Sequence, residues 1–215
     1  CSEATRDMIV VGNTAYIGGS FTALTPAGGG TAVTRNHAAA INMTTGALLP
    51  WNPNVNGTVR AIQVIGSTVY LGGSFTRVGN SGRQRLAQVN TTNGGLTAWH
   101  PGADAEVLAM SHANGLLYVG GAFTTAGGAA RAHLAAFSTA TGALAPWSPS
   151  TDDQVKALLV TPGGARVVIG GLFTTVNGTS AQHLAAINPG GSGTQASWGS
   201  HTNYPVIDLA ADSKG

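Results

Sequence analysis

The chain has 215 residues, 43% of them hydrophobic, only 8% charged and 32 of them glycine, with a formal net charge of +2. That apolar share supports a packed core and excludes a charged disordered chain, and the glycines follow no collagen period. The scattered basic residues form no block of the kind a nucleic-acid footprint needs, no run of apolar residues is long enough to span a bilayer, and Cys1 as sole cysteine excludes an internal disulfide or a cysteine-based metal site.

The opening CSEATRDMIV lacks the basic and apolar regions of a signal peptide. A surface built from Thr, Ser, Asn, Gln and Gly in place of Lys and Glu nevertheless fits an extracellular, secreted or wall-associated protein. Cys1 is where a bacterial lipoprotein would carry its lipid anchor, and an unremarkable terminal residue is the other reading.

Self-comparison reveals a fourfold repeat. YIGGSFT at 16–22 returns as YLGGSFT at 70–76, YVGGAFT at 118–124 and VIGGLFT at 168–174. A polar loop follows each, then an apolar run (AAAIN at 38–42, LAQVN at 86–90, LAAFS at 134–138, LAAIN at 184–188), a glycine turn and a tryptophan. Trp51, Trp99, Trp147 and Trp198 each precede by eight residues a valine, Val59, Val107, Val155 or Val206.

Within one period the alternation predicts four short strands, in the second unit VRAIQVIG, VYLGGSFT, RLAQVN and GLTAWHP. Gly66-Ser67 and Thr92-Asn93-Gly94-Gly95 supply hairpin turn chemistry between them. No stretch carries a sustained helical period. Four strands per period of about 40–50 residues predict an all-β fold, a β-propeller of four-stranded blades. The blades run approximately 5–54, 55–102, 103–150 and 151–201, with a further blade starting at 202–215. The paired glycines admit close backbone approach, and Phe21, Phe75, Phe123, Phe173 and the tryptophans read as packing between blades. Residues 5–11 and 206–212 both align with a first strand, so the four complete blades plus one extra strand read as part of a propeller with five or more blades, and missing blades or neighbouring domains are expected partners.

Two polar positions keep the blade phase. Asn56, Asp104, Asp152 and Asn203 stand three residues before the repeat valine. As a ring at a channel mouth, helped by Glu106 and Asp153, they offer oxygen ligands for a calcium ion or hydrogen bonds for a polar ligand; as turn residues they bond the local backbone. Arg35, Arg83 and Arg131 precede the third strand, with His37, Arg85, His133 and His183 two residues behind that phase. They form either a basic arc for anionic glycans or struts between loops. NPNVNG at 52–57 has the outline of an EF-hand start but no carboxylate, and the sequons at Asn42, Asn56, Asn90 and Asn177 suit turns. No phosphate-binding loop, H-E-x-x-H or G-x-S-x-G motif is present, and no cofactor is predicted.

The unit [V/I]-x-[A/L]-[I/L]…Y-[L/V]-G-G-x-F-T…R-x-x-L-A-A-[I/F]…T-G-x-L-x-x-W-x-P resembles the repeat of secreted bacterial, chiefly actinobacterial, delta-60 repeat β-propeller proteins, and more distantly Rax2-like propellers. The resemblance covers nearly the whole chain and implies an exported or wall-associated propeller, without implying a reaction. AINMTTGALLPW at 40–51 is similar to the tryptophan-docking motif of quinoprotein dehydrogenases, with Asn42, Asn90, Ser138 or Asn188 in place of its aspartate and the tryptophan one residue late. The expectation is therefore an extracellular or cell-surface, non-catalytic binding or structural module for glycans or cell-wall polymer. The alternative is a propeller enzyme, a polysaccharide hydrolase or lyase or a quinone-type oxidoreductase, with carboxylates or a His and Asp pair converging in one pocket.

Overall fold

A computed structural model describes residues 4–198 and 201–211. Cys1, the end of the surplus strand at 212 and the last residues of the chain lie outside the described residues. The chain divides into two compact units, Cys1–Gly102 and Ala103–Gly215, each holding two repeats.

In the first unit the order is β1 (Thr5–Val11), β2 (Thr14–Gly19), β3 (Ala23–Leu24), β4 (Val33–Thr34), β5 (Ala38–Asn42), then β6 (Val59–Ile65), β7 (Thr68–Gly73), β8 (Arg77–Val78), β9 (Ser81–Gly82) and β10 (Leu86–Asn90). The second repeats it with β11 (Val107–Ala113), β12 (Leu116–Gly121), β13 (Thr125–Ala126), β14 (Ala129–Ala130), β15 (Leu134–Ser138), β16 (Val155–Val160), β17 (Val167–Gly171), β18 (Thr175–Val176), β19 (Thr179–Ser180) and β20 (Leu184–Ile187). The only helical element among the described residues is a 3-10 turn at Pro162–Gly164.

Each repeat is an antiparallel meander, β1-β2-β5 in the first, with a two-stranded hairpin inserted between its second and third strands. The predicted fourth strand is present but short. Leu48, Leu96, Leu144 and Gln195 each make a single bridge to the third strand, extended by backbone bonds such as Leu49 N to Ala40 O and Thr97 N to Gln88 O. Pro50 and Pro53, or Pro146 and Pro149, then remove the donors a longer ladder needs. These are the small four-stranded sheets of a β-propeller.

The paired glycines have separate tasks. A Cβ on the first, Gly18 or Gly120, would meet the Cγ1 of Val59 at 2.6 Å or of Val155 at 2.7 Å, the valine that opens the next blade. A Cβ on the second, Gly73 or Gly121, would strike the carbonyl oxygen of Thr58 or Glu106 in its own blade. That carbonyl accepts the backbone N–H of the following residue, Ser74 or Ala122, where the first strand bulges. Missing side chains thus set both the spacing between blades and the bulge within one.

Aromatic residues close the blade junction within each unit. Trp51 packs edge-on against Tyr16 with centroids 5.2 Å apart and donates its Nε1–H to the Asn90 carbonyl of the following blade at 2.8 Å. Trp147 does the same with Tyr118 at 4.9 Å and the Asn188 carbonyl at 2.9 Å. Phe21, Phe75, Phe123 and Phe173 are all buried, as expected of core residues. Trp198 departs from the pattern and is 43% exposed.

Candidate binding site

Asn56, Asp104 and Asp152 sit on the segment entering the first strand of a blade, and their side chains reach across to the inserted hairpin. The Asp104 Oδ1 accepts the backbone N–H groups of Thr124 and Thr125, both at 2.9 Å, while its Oδ2 accepts the Thr124 hydroxyl at 2.6 Å. Asp152 makes the same three bonds to Thr174 and Thr175. Asn56 uses Oδ1 on Thr76 and Arg77 and donates its Nδ2 to the Thr76 hydroxyl at 3.0 Å. Each side chain therefore clasps one blade's loops together. Asn203 is exposed, and its side chain makes no hydrogen bond among the described residues.

Burial alone would raise the Asp104 carboxyl, but the Thr124 hydroxyl and the N–H groups of Thr125 and Thr124 outweigh it and hold the group at about 2. Asp152 is held at about 2 by the corresponding donors of Thr174 and Thr175 against the same effect of burial. Both are carboxylates at neutral pH, and each accepts three hydrogen bonds from its own blade. Among the described residues, no three His, Cys, Asp or Glu side chains converge as metal ligands.

Arg35, Arg83 and Arg131 bridge the entry of the third strand to the fourth. Each donates Nη1 to the carbonyl of the residue before it and Nη2 to the fourth segment, at Leu49 O (2.9 Å), Thr97 O (3.1 Å) and Ala145 O (3.2 Å). Ala181 occupies this position in the last repeat and is buried. His37, Arg85, His133 and His183 form a corner with φ of 64–70°. Their N–H donates to the repeat phenylalanine carbonyl, and their own carbonyl accepts from the second glycine of the pair. Burial pushes the His133 imidazole pKa down, against the charges of Asp153, Asp152 and Asp104, which raise it; its Nδ1 has no hydrogen-bond partner among the described residues.

Asn56, Asp104, Asp152 and the three arginines thus bond the backbone of their own blade, whereas three asparagines outside those positions keep NH₂ groups with no acceptor among the described residues. Asn52, Asn54 and Asn93, with Pro53, Gly79, Gly94, Gly95 and Leu96, line an open cleft of about 320 Å³ in the first unit. The Asn52 Oδ1 accepts the Asn54 N–H at 3.2 Å, the Asn54 Oδ1 accepts Asn36 Nδ2 at 2.7 Å and the Asn93 Oδ1 accepts the Gly95 N–H at 2.9 Å. Their carbonyl oxygens fix the three side chains, while their NH₂ groups donate to nothing among the described residues. Asn54 adopts φ 56°, and its carbonyl receives the Gly79 N–H at 2.8 Å, which ties the cleft wall to the β8–β9 turn. These residues lie in the NPNVNG segment and the predicted Asn93 turn. Their sequence signal was that of turn formers, which carries no mark of an open cleft.

Among the described residues no helix is long and apolar enough to cross a membrane. No protein family matches the chain, and no curated protein matches it. Solved structures do. The chain is similar to the computationally designed Ika4 protein (TM-score 0.53, 16% identity, 82% of this chain and 90% of that one). It is also similar to the extracellular domain of a one-component system of B. thetaiotaomicron (TM-score 0.60, 17% identity, 98% of this chain and 24% of that one). A third likeness is to a chain of the mitotic checkpoint complex (TM-score 0.63, 11% identity, 94% of this chain and 55% of that one). The chain spans about a quarter and about half of the latter two. At these identities the likenesses show the β-propeller fold.

Proposed function

We propose that this protein is a non-catalytic β-propeller module that works outside the cell or at its surface and binds a neutral, hydroxyl-rich polymer, a glycan or wall polysaccharide, through the asparagine cleft of its first unit. The observation that carries this reading is the set of three uncommitted amide donors on Asn52, Asn54 and Asn93 around one open cleft. An uncharged NH₂ group complements a sugar hydroxyl or ring oxygen, and Pro53 and Leu96 add apolar surface for the C–H faces of a sugar ring. The low charge of the whole chain favours a neutral ligand over an anionic one.

Commitment of the ionic residues supports the same choice. Asp104, Asp152, Arg35, Arg83 and Arg131 each make hydrogen bonds within their own blade, where they stabilise loops. A glycan and cell-wall polymer array with the folded protein tests the proposal. Binding to a neutral polysaccharide, weakened about threefold to tenfold by Asn54→Ala or Asn93→Ala, is expected for the loss of one hydrogen bond. No retention on any such polymer would leave a purely structural module.

A further inference from the structure

The cleft of the first unit has a counterpart in the second unit that is already filled. Trp51-Asn52-Pro53-Asn54 corresponds to Trp147-Ser148-Pro149-Ser150, and the turn residues Asn93 and Gly94 correspond to Ser192 and Gly193. The same backbone bonds frame both. Asn52 N donates to the Asn93 carbonyl at 3.3 Å, as Ser148 N donates to that of Ser192 at 3.2 Å. The Gly79 N–H reaches the Asn54 carbonyl at 2.8 Å, as the Asn177 N–H reaches that of Ser150 at 2.8 Å. Both of these turn residues are left-handed, with φ of 54° and 51°. Gly79 in the β8–β9 turn therefore stands where Asn177 stands in the β18–β19 turn.

The side chain at that turn differs. The Asn177 carboxamide crosses the groove of the second unit: its Oδ1 accepts the Ser150 N–H at 2.9 Å, and its Nδ2 donates to the Gly193 carbonyl at 3.0 Å. Gly79 brings no such group, and a Cβ on it would meet no atom within 4 Å. The groups that an amide would engage are left short in the first unit. Gly94 is buried, and its carbonyl receives no donor among the described residues. The Asn54 N–H has only the Asn52 Oδ1, at 3.2 Å. A buried carbonyl without a donor costs stability that a bound N–H restores. The open cleft is thus the groove of the second unit without its internal amide.

Resting on the reading of this cleft as a glycan site, we propose that its ligand is an acetamido sugar, whose N-acyl group takes the place that Asn177 fills in the second unit. The acyl oxygen accepts the Asn54 N–H as a second acceptor beside Asn52 Oδ1, and the amide N–H donates to the Gly94 carbonyl. The sugar hydroxyls and ring oxygen meet the NH₂ groups of Asn52, Asn54 and Asn93. A peptide also carries amides, but its backbone brings an N–H with nearly every carbonyl, and three side-chain donors around one cleft suit a ligand richer in acceptors. Gly79 is the residue that determines specificity, because an asparagine there closes the site from within, as Asn177 does.

The test is titration calorimetry with two β-1,4-linked tetramers, one of N-acetylglucosamine and one of glucose, on the unmodified chain and on Gly79→Asn. The unmodified chain should bind the N-acetylglucosamine tetramer at least about tenfold more tightly, for two hydrogen bonds that glucose cannot make. Gly79→Asn should melt no lower than the unmodified chain, since asparagine tolerates the left-handed turn, and should lose about tenfold or more of that affinity. Equal affinity for the two tetramers overturns the acetamido assignment and leaves the neutral-glycan reading standing. Failure to bind either tetramer also overturns it, and the polysaccharide array then decides the broader reading separately. A folded Gly79→Asn chain that keeps its affinity overturns the proposal, as does an asparagine-containing tripeptide that binds more tightly than the N-acetylglucosamine tetramer. The comparison of tetramers needs no substitution, so it decides the matter even where Gly79→Asn fails to fold.

Discussion

The Asp152 carboxylate holds Thr174 twice, by the backbone N–H on Oδ1 at 2.8 Å and by the hydroxyl on Oδ2 at 2.6 Å. Together with the same clasp between Asp104 and Thr124, this makes blade stability depend on acid. Both carboxyls titrate at about 2 in the folded chain, below the roughly 3.9 of an unfolded aspartate. Their stabilisation is complete above the unfolded value and is lost as pH falls through the folded one. The melting temperature should fall between about pH 4 and pH 2. Asn56 makes the same clasp without a charge, so Asp104→Asn with Asp152→Asn should keep the fold and flatten this acid limb in thermal scans.

Gly120 and Gly121 should differ in their tolerance of alanine. The added methyl of Gly120→Ala meets the end of the Val155 side chain, which can shift, at a cost of about 1–3 kcal/mol. In Gly121→Ala the methyl meets the Glu106 carbonyl oxygen, whose position is fixed by the bulge and by the Ala122 N–H. Urea unfolding should place the midpoint of Gly121→Ala well below that of Gly120→Ala. Equal midpoints would mean that the bulge yields.

Arg131 links two carbonyls, Ala130 O at 2.8 Å and Ala145 O at 3.2 Å, with a planar fork. Arg131→Ala should lower stability by about 1–2 kcal/mol. Arg131→Lys should recover little, because an ammonium on a flexible stem does not reproduce the fork. Amide hydrogen exchange should quicken in the fourth segment, at residues 143–147, in both variants.

Trp147 and Trp198 share a repeat position but not an environment. Trp147→Phe removes the Nε1 bond to Asn188 and part of the edge-on contact with Tyr118, for a loss of about 1–2 kcal/mol in chemical denaturation. Trp198→Phe in the isolated chain should change stability by less than about 0.5 kcal/mol, as surface substitutions do.

The blade meander was legible because its spacing recurs in residues whose chemistry is specific: turn glycines, strand-forming runs and a tryptophan. The role of the Gly-Gly pair as a point of close approach was also legible, although the second glycine's encounter with a carbonyl of its own blade was not, since bulges leave no residue signature. The Asp clasps had a signal in the recurrence of Thr76, Thr124 and Thr174 behind Asn56, Asp104 and Asp152. Residue types alone do not distinguish such a clasp from a ligand ring. The left-handed corners at His37, Arg85, His133 and His183 were hidden because neither arginine nor histidine advertises a positive φ as glycine does. The fourth strand was overestimated because prolines cut its ladder short.

Binding of the folded protein to neutral polysaccharide, measured side by side for the unmodified chain, Asn54→Ala with Asn93→Ala, and Asp104→Asn with Asp152→Asn, tests the division between cleft and clasp most directly. The account predicts affinity lost in the asparagine variant and kept in the aspartate variant. Affinity kept without the asparagines and lost without the carboxylates would contradict it and place the binding chemistry on the clasp residues instead.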